Sequence, residues 1–62
     1  MEEVEVLIGF DGGKDYWYVE IARKEVFQSR DYGESLAYAH GAKEAFAQCG
    51  VSVIFTNSGE EI

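Results

Sequence analysis

Apolar and polar residues alternate over residues 3–10, EVEVLIGF, with Val4, Val6, Ile8 and Phe10 on one side and Glu3, Glu5 and Leu7 on the other. A period of two marks a half-buried β-strand. The pattern returns over residues 15–21, DYWYVEI, where Trp17, Val19 and Ile21 oppose Tyr16, Tyr18 and Glu20. Between the runs lies Asp11-Gly12-Gly13-Lys14, a turn in which the two glycines are expected to supply positive φ. The two runs therefore predict a tight antiparallel hairpin. Ala22-Arg23-Lys24 is a second short connection, leading to a third short strand over residues 25–29 with Phe27 inward.

The period then changes. Residues 31–50, DYGESLAYAHGAKEAFAQCG, place Tyr32, Leu36, Ala39, Ala42, Phe46 and Cys49 on one stripe when wound at about 100° per residue. Glu34, His40, Glu44 and Gln48 fall on the other side. Asp31 is the expected N-cap, with Glu34 reaching back to the cap's own N–H as in a capping box. Gly50 suits the left-handed residue that ends a helix. Residues 51–56, VSVIFT, are β-branched and aromatic and predict a fourth strand. A turn at residues 57–59 and a short acidic tail at 60–62 complete the chain.

The order βββαβ predicts a single α+β domain over residues 1–62. It has two layers, an antiparallel-rich sheet of three to four strands and one helix packed on one face. One helix shields one side of such a sheet. Leu7, Tyr16, Tyr18, Val26 and Ile54 are left on the open side, together with Glu3, Glu5 and Glu20.

Charge narrows the partners. Twelve acidic residues against five basic ones give a net charge of −7 and a pI near 4.4. Such a chain has no basic patch to displace counterions from nucleic acid, and it is repelled by anionic membranes. Long-range steering favours a basic protein partner; solubility alone also favours an acidic surface. A hydrophobic content of 47% argues against disorder. One cysteine cannot form an internal disulfide, and the acidic opening MEEVEV lacks the basic and apolar regions of a secretory signal. These features lead us to expect a cytoplasmic protein.

Candidate chemistry is sparse. One histidine and one cysteine, at positions 40 and 49, fall short of the roughly four ligands of structural zinc. His40 reads as a solvent-facing residue and Cys49 as a small buried hydrophobe. Gly12-Gly13-Lys14 lacks the spacing of a phosphate-binding loop and precedes a strand, whereas that loop opens a helix. No catalytic, cofactor or metal residues are expected.

Two surfaces remain. The open face carries Tyr16 and Tyr18, and tyrosines are enriched in binding surfaces. Ala37, Gly41 and Ala45, spaced by four on the outer helix, would allow a second helix to approach closely. Glycine in a helix costs about 0.5–1 kcal/mol relative to alanine, which such a contact could offset.

Trp17-x-Val19, the strand around Phe27, the Glu34/Ala37 helix opening, Val53–Phe55 and the closing Gly59-x-x-Ile62 resemble small bacterial and phage ββαβ domains of uncharacterised function. The element order is also similar to the partly formed ribonuclease-H-like fold of HicB-type antitoxins, without a separate DNA-binding segment. In size, acidity and lack of catalytic residues the chain resembles phage anti-CRISPR proteins. That resemblance implies occlusion of a nucleic-acid-binding surface, in some cases by DNA mimicry. The resulting expectation is a non-enzymatic inhibitor presenting Glu3, Glu5, Asp11, Asp15, Tyr16, Tyr18 and Glu20 to a basic effector. The alternative is a homodimerisation module, packing through Ala37, Gly41 and Ala45 or through the tyrosine face, or a HicB-like antitoxin domain.

Overall fold

The computed structural model of the chain describes residues 2–58. Its elements are β1 (Glu3–Asp11), β2 (Tyr16–Ile21), β3 (Lys24–Ser29), α1 (Tyr32–Gln48) and β4 (Ser52–Asn57). The strands form one sheet in the order β3-β2-β1-β4, and α1 packs against all four. β2 is antiparallel to both β1 and β3, whereas β4 runs parallel to β1. The expected two-layer α+β fold is present. Its one parallel pairing follows from the helix, which carries the chain across the sheet before β4 begins.

Register assigns the faces. Val6 lies opposite Ile21, Ile8 opposite Val19 and Phe10 opposite Trp17, all toward the helix. Val6, Ile8 and Val19 are fully buried, and Ala39 meets them from α1. Alanine at that centre lets the helix come close, while Leu36, Phe27, Val53 and Phe55 pack around the cluster. Full burial of one such aliphatic side chain contributes about 1.5–3 kcal/mol. Ser35 is the polar intruder, completely buried with its hydroxyl lacking a hydrogen-bond partner.

Ring stacks fix the two flanks of the helix. Tyr38 stacks on Phe27 over β3, with centroids 4.5 Å apart and planes 13° apart. His40 stacks on Phe55 over β4 at 5.1 Å and 20°, and the Lys43 ammonium lies 5.5 Å from the same ring. His40 is exposed, as expected, yet it shields the apolar rim of β4. Near the start of the helix, Tyr32 packs on Trp17, which packs on Phe10. The Asn57 side-chain amide donates to the Tyr32 hydroxyl at 2.7 Å and ties β4 to the first turn.

Both ends of α1 are capped. The Asp31 carboxylate accepts from the Gly33 N–H at 2.8 Å. Glu34 does not reach the cap N–H directly, in contrast to the expected capping box. Ser29 intervenes: its hydroxyl donates to Glu34 at 2.5 Å and accepts from the Asp31 N–H at 3.0 Å. At the other end Gly50 takes φ +80°, Val51 N–H donates to the Phe46 carbonyl and Gly50 N–H to the Ala47 carbonyl. These bonds form a Schellman motif. Cys49 is the C-cap and is exposed, so it is not the buried hydrophobe its stripe position suggested. The residue lies at the exposed end of the helix, past its last full turn.

The turns also differ in detail from expectation. In the first hairpin the left-handed residue is Asp15 (φ +59°), and neither Gly12 nor Gly13 has positive φ. The Asp11 carboxylate closes the loop by accepting from the Gly13 and Lys14 N–H groups at 3.0 and 3.2 Å. The second hairpin has a two-residue loop, Ala22-Arg23, with φ +54° and +67°. Two positive φ values are the signature of a type I′ turn, which ordinarily takes Asn-Gly. After β4 the Ser58 hydroxyl donates to the Ile8 carbonyl at 2.6 Å. The rest of the expected terminal turn and tail, residues 59–62 with the closing Gly59-x-x-Ile62, lies outside the described residues.

Candidate functional site

The face of the sheet away from α1 is built from the positions between the core residues. Reading across the register, β1 contributes Glu3, Glu5, Leu7, Gly9 and Asp11, and β2 contributes Tyr16, Tyr18 and Glu20. β3 adds Glu25, Val26 and Gln28, and β4 adds Ser52, Ile54 and Thr56. These outward positions hold five carboxylates and no lysine or arginine. Lys14 and Arg23 are in turns, Arg30 precedes the helix, Lys43 is on α1, and Lys24 lies opposite Ile21 on the helix-side register. Charge is thus segregated by face.

Glu3, Glu5 and Glu20 gather at one end. Glu20 is opposite Leu7 and Glu5 is two residues along β1, the diagonal arrangement that separates residues by roughly 7–8 Å, with Cβ atoms somewhat closer. Glu25 joins them, directly opposite Glu20. Strict alternation from inward Phe27 would have turned Glu25 inward too. A β-bulge at Val26 inserts one unpaired residue and returns Glu25 to the outer face. Like charges directly opposed are destabilising; the Gln28 side-chain amide donates to Glu25 and offsets part of that repulsion. Glu3, Glu5 and Ile54 also line a shallow depression of about 290 Å³ whose far wall is Ala22 and Arg23. Arg23 thus sets a cation against this acidic end.

Asp11 and Asp15 lie at the opposite end, about 20 Å from Glu5 at the usual rise per residue. Asp11 is engaged in its own loop through the bonds to Gly13 and Lys14. Asp15 is exposed at the loop's left-handed position. The seven expected contact residues therefore divide into an acidic end with Glu3, Glu5 and Glu20, Tyr18 in the middle, and a loop end where Tyr16 lies opposite Asp11 and next to Asp15.

The middle has a structural reason that alternation did not reveal. Tyr18 lies opposite Gly9, and a Cβ built on Gly9 would fall 2.4 Å from the ζ carbon and hydroxyl of Tyr18. The ring is folded across β1 onto the glycine, which is why both are shielded from solvent despite facing away from the helix. Tyr16 meets Tyr18 edge-on, with centroids 6.4 Å apart and planes 83° apart. The signal in the sequence was Gly9 inside an otherwise regular strand, a place where another group approaches the backbone.

The helix stripe of Ala37, Gly41 and Ala45 is exposed, and a Cβ on Gly41 would meet nothing within 4 Å beyond the backbone of its own helix and its chain neighbours. Among the described residues no three His, Cys, Asp or Glu side chains gather as metal ligands, and no helix is long and apolar enough to cross a membrane. No family model matches the chain, and neither a curated protein nor a solved structure matches it.

Proposed function

We propose that the protein is a non-enzymatic binding protein that lays its open sheet face on a basic, nucleic-acid-binding surface of a partner protein and so occludes it. The observation that supports this reading is the segregation of charge: the outward strand positions carry Glu3, Glu5, Asp11, Glu20 and Glu25 and no base. The sheet fixes the spacing of the backbone positions that carry these carboxylates, so the backbone part of the ordering cost is met before binding. Tyr16 and Tyr18, half-buried beside them, offer apolar area with a polar tip. Lysines and arginines that otherwise meet phosphates would meet carboxylates. Resemblance to anti-CRISPR proteins nominates a CRISPR effector as one partner of this kind.

Association of this type is steered by long-range charge, which raises on-rates by roughly 10–10³-fold and fades as salt rises. The test is capture of partners from a host lysate, followed by kinetics with the purified partner. We expect a nucleic-acid-binding protein to be enriched and displaced by competing duplex DNA. Replacing Glu3, Glu5 and Glu20 by glutamine should slow association about tenfold. Capture indifferent to both salt and these three substitutions would refute the reading.

A further inference from the structure

The two edges of the sheet are unequal. β3 carries Lys24 and Glu25 and is bent by its bulge, three features that protect an edge against pairing with another chain. β4 has none of them. Its sequence SVIFTN holds no charge, glycine or proline, and it pairs with β1 in unbroken register from Glu3↔Ser52 to Ile8↔Asn57. Among the described residues β1 is its single strand neighbour. Ile54, 45% exposed, stands on one side of β4, and half-buried Val53 and Phe55 stand on the other.

We infer that β4 is the seam of a weak homodimer, in which a second copy pairs antiparallel with it to form a continuous eight-stranded sheet. This interface runs along the β4 edge of the sheet: Ser52, Ile54 and Thr56 belong to the open face, but its carboxylates stay uncovered, and the inference goes beyond the function proposed for them. The occupant is argued from self-complementarity. A two-fold axis at Ile54 sets Ile54 against its own copy, Val53 against the second Phe55, and Ser52 against the second Thr56. Apolar then meets apolar, hydroxyl meets hydroxyl, and no charge opposes a like charge. Directly opposed residues share a face in an antiparallel pair, so both helices lie on one side and both acidic faces on the other.

Charge elsewhere sets the conditions. Each copy carries a net charge of −7. The nearest facing carboxylates, Glu3 and Glu5 on the two β1 strands, would be three strand spacings apart, about 14 Å. That exceeds the screening length of roughly 8 Å at physiological ionic strength but falls well inside the roughly 30 Å at 0.01 M. Added salt should therefore strengthen the dimer, the opposite of its effect on a basic partner. A seam of five residues per copy, Ser52 to Thr56, buries less than the approximately 800 Å² per partner of a standard interface, so dissociation constants of roughly 10 µM to 1 mM are expected.

The experiment is sedimentation equilibrium of the full chain up to about 1 mM at low and high salt, with amide hydrogen exchange at the same concentrations. Expected is a concentration-dependent dimer favoured by salt, with added protection in β4 and none in β3. The double change Ile54→Lys and Thr56→Lys, both at exposed positions, should abolish it while the circular dichroism of the dilute monomer stays unchanged. The single change Thr56→Lys gives a second reading should the double variant fail to fold. A monomer at every concentration, or a dimer indifferent to the β4 lysines and broken by Gly41→Leu, overturns the inference. Protection of β4 only by an added foreign strand overturns it as well.

Discussion

The same four strands build both faces of the sheet, yet the two faces are ordered by different forces. Toward the helix, Val6, Ile8 and Val19 are completely buried, and position is set by volume against Ala39 and Leu36. Away from it, Glu3 and Glu5 are exposed and Tyr16, Tyr18 and Glu20 half-buried. Position there is set by charge, by a bulge and by one ring lying on one glycine. The contrast teaches where stability and recognition can be separated: cohesion resides on the covered face, leaving the other free to concentrate like charge at modest cost.

The sharpest test sets Ile8→Ala against Ile54→Ala. Ile8 is fully buried, and its truncation should cost about 2–5 kcal/mol, a large share of what a domain of this size possesses. Ile54 is 45% exposed, and the same change should stay within about 0.5 kcal/mol. Urea unfolding with an unchanged m-value measures both. Equal costs would mean that the open face is covered in solution, and the contrast would fail.

Much of this division can be read along the chain, because period two assigns each strand residue to a face without any knowledge of partners. Val4 to Phe10 and Trp17 to Ile21 fall where their alternation puts them, and Asp31 and Gly50 bound the helix through local chemistry. What escapes depends on contacts between segments. Glu25 joins the acidic end through a bulge, and a bulge is a fault in periodicity that periodicity cannot announce. Ser29 intervenes between Glu34 and the cap because β3 ends one residue before the junction with the helix. Cys49 lies on the apolar stripe yet is exposed at the helix's C-cap, since a wheel gives direction and not burial. The direction of β4 depends on the crossover, and nothing within SVIFTN encodes it.

A smaller effect lies within the covered face itself. Ser35 buries its hydroxyl completely with no partner for it. Ser35→Ala removes that desolvated group and improves helix propensity, so stability should rise by about 1–2 kcal/mol. For a chain of this length each kcal/mol raises Tm by roughly 4–8 °C. A fall in Tm would show that the hydroxyl bonds back to the Asp31 carbonyl in solution, as helical serines can, and that the core is free of flaws.

The smallest effect concerns Gly9, where an open-face residue is shielded without help from the helix. In Gly9→Ala the new methyl would occupy the place of the Tyr18 ring end, at 2.4 Å. The colliding atoms are at the tip of a flexible side chain, so the ring should swing outward and β1 should hold. The net cost should be within about 1 kcal/mol. The larger signal is exposure: Tyr18 should become more accessible to photochemically induced nuclear polarisation, and its edge-on contact with Tyr16 should loosen. In a Tyr18→Ala background the cost of Gly9→Ala should vanish, because the two residues share one volume and their effects cannot add. An undiminished cost there would mean that the glycine serves the backbone of β1, leaving the tyrosines as free surface and the two faces more alike in origin than their contents suggest.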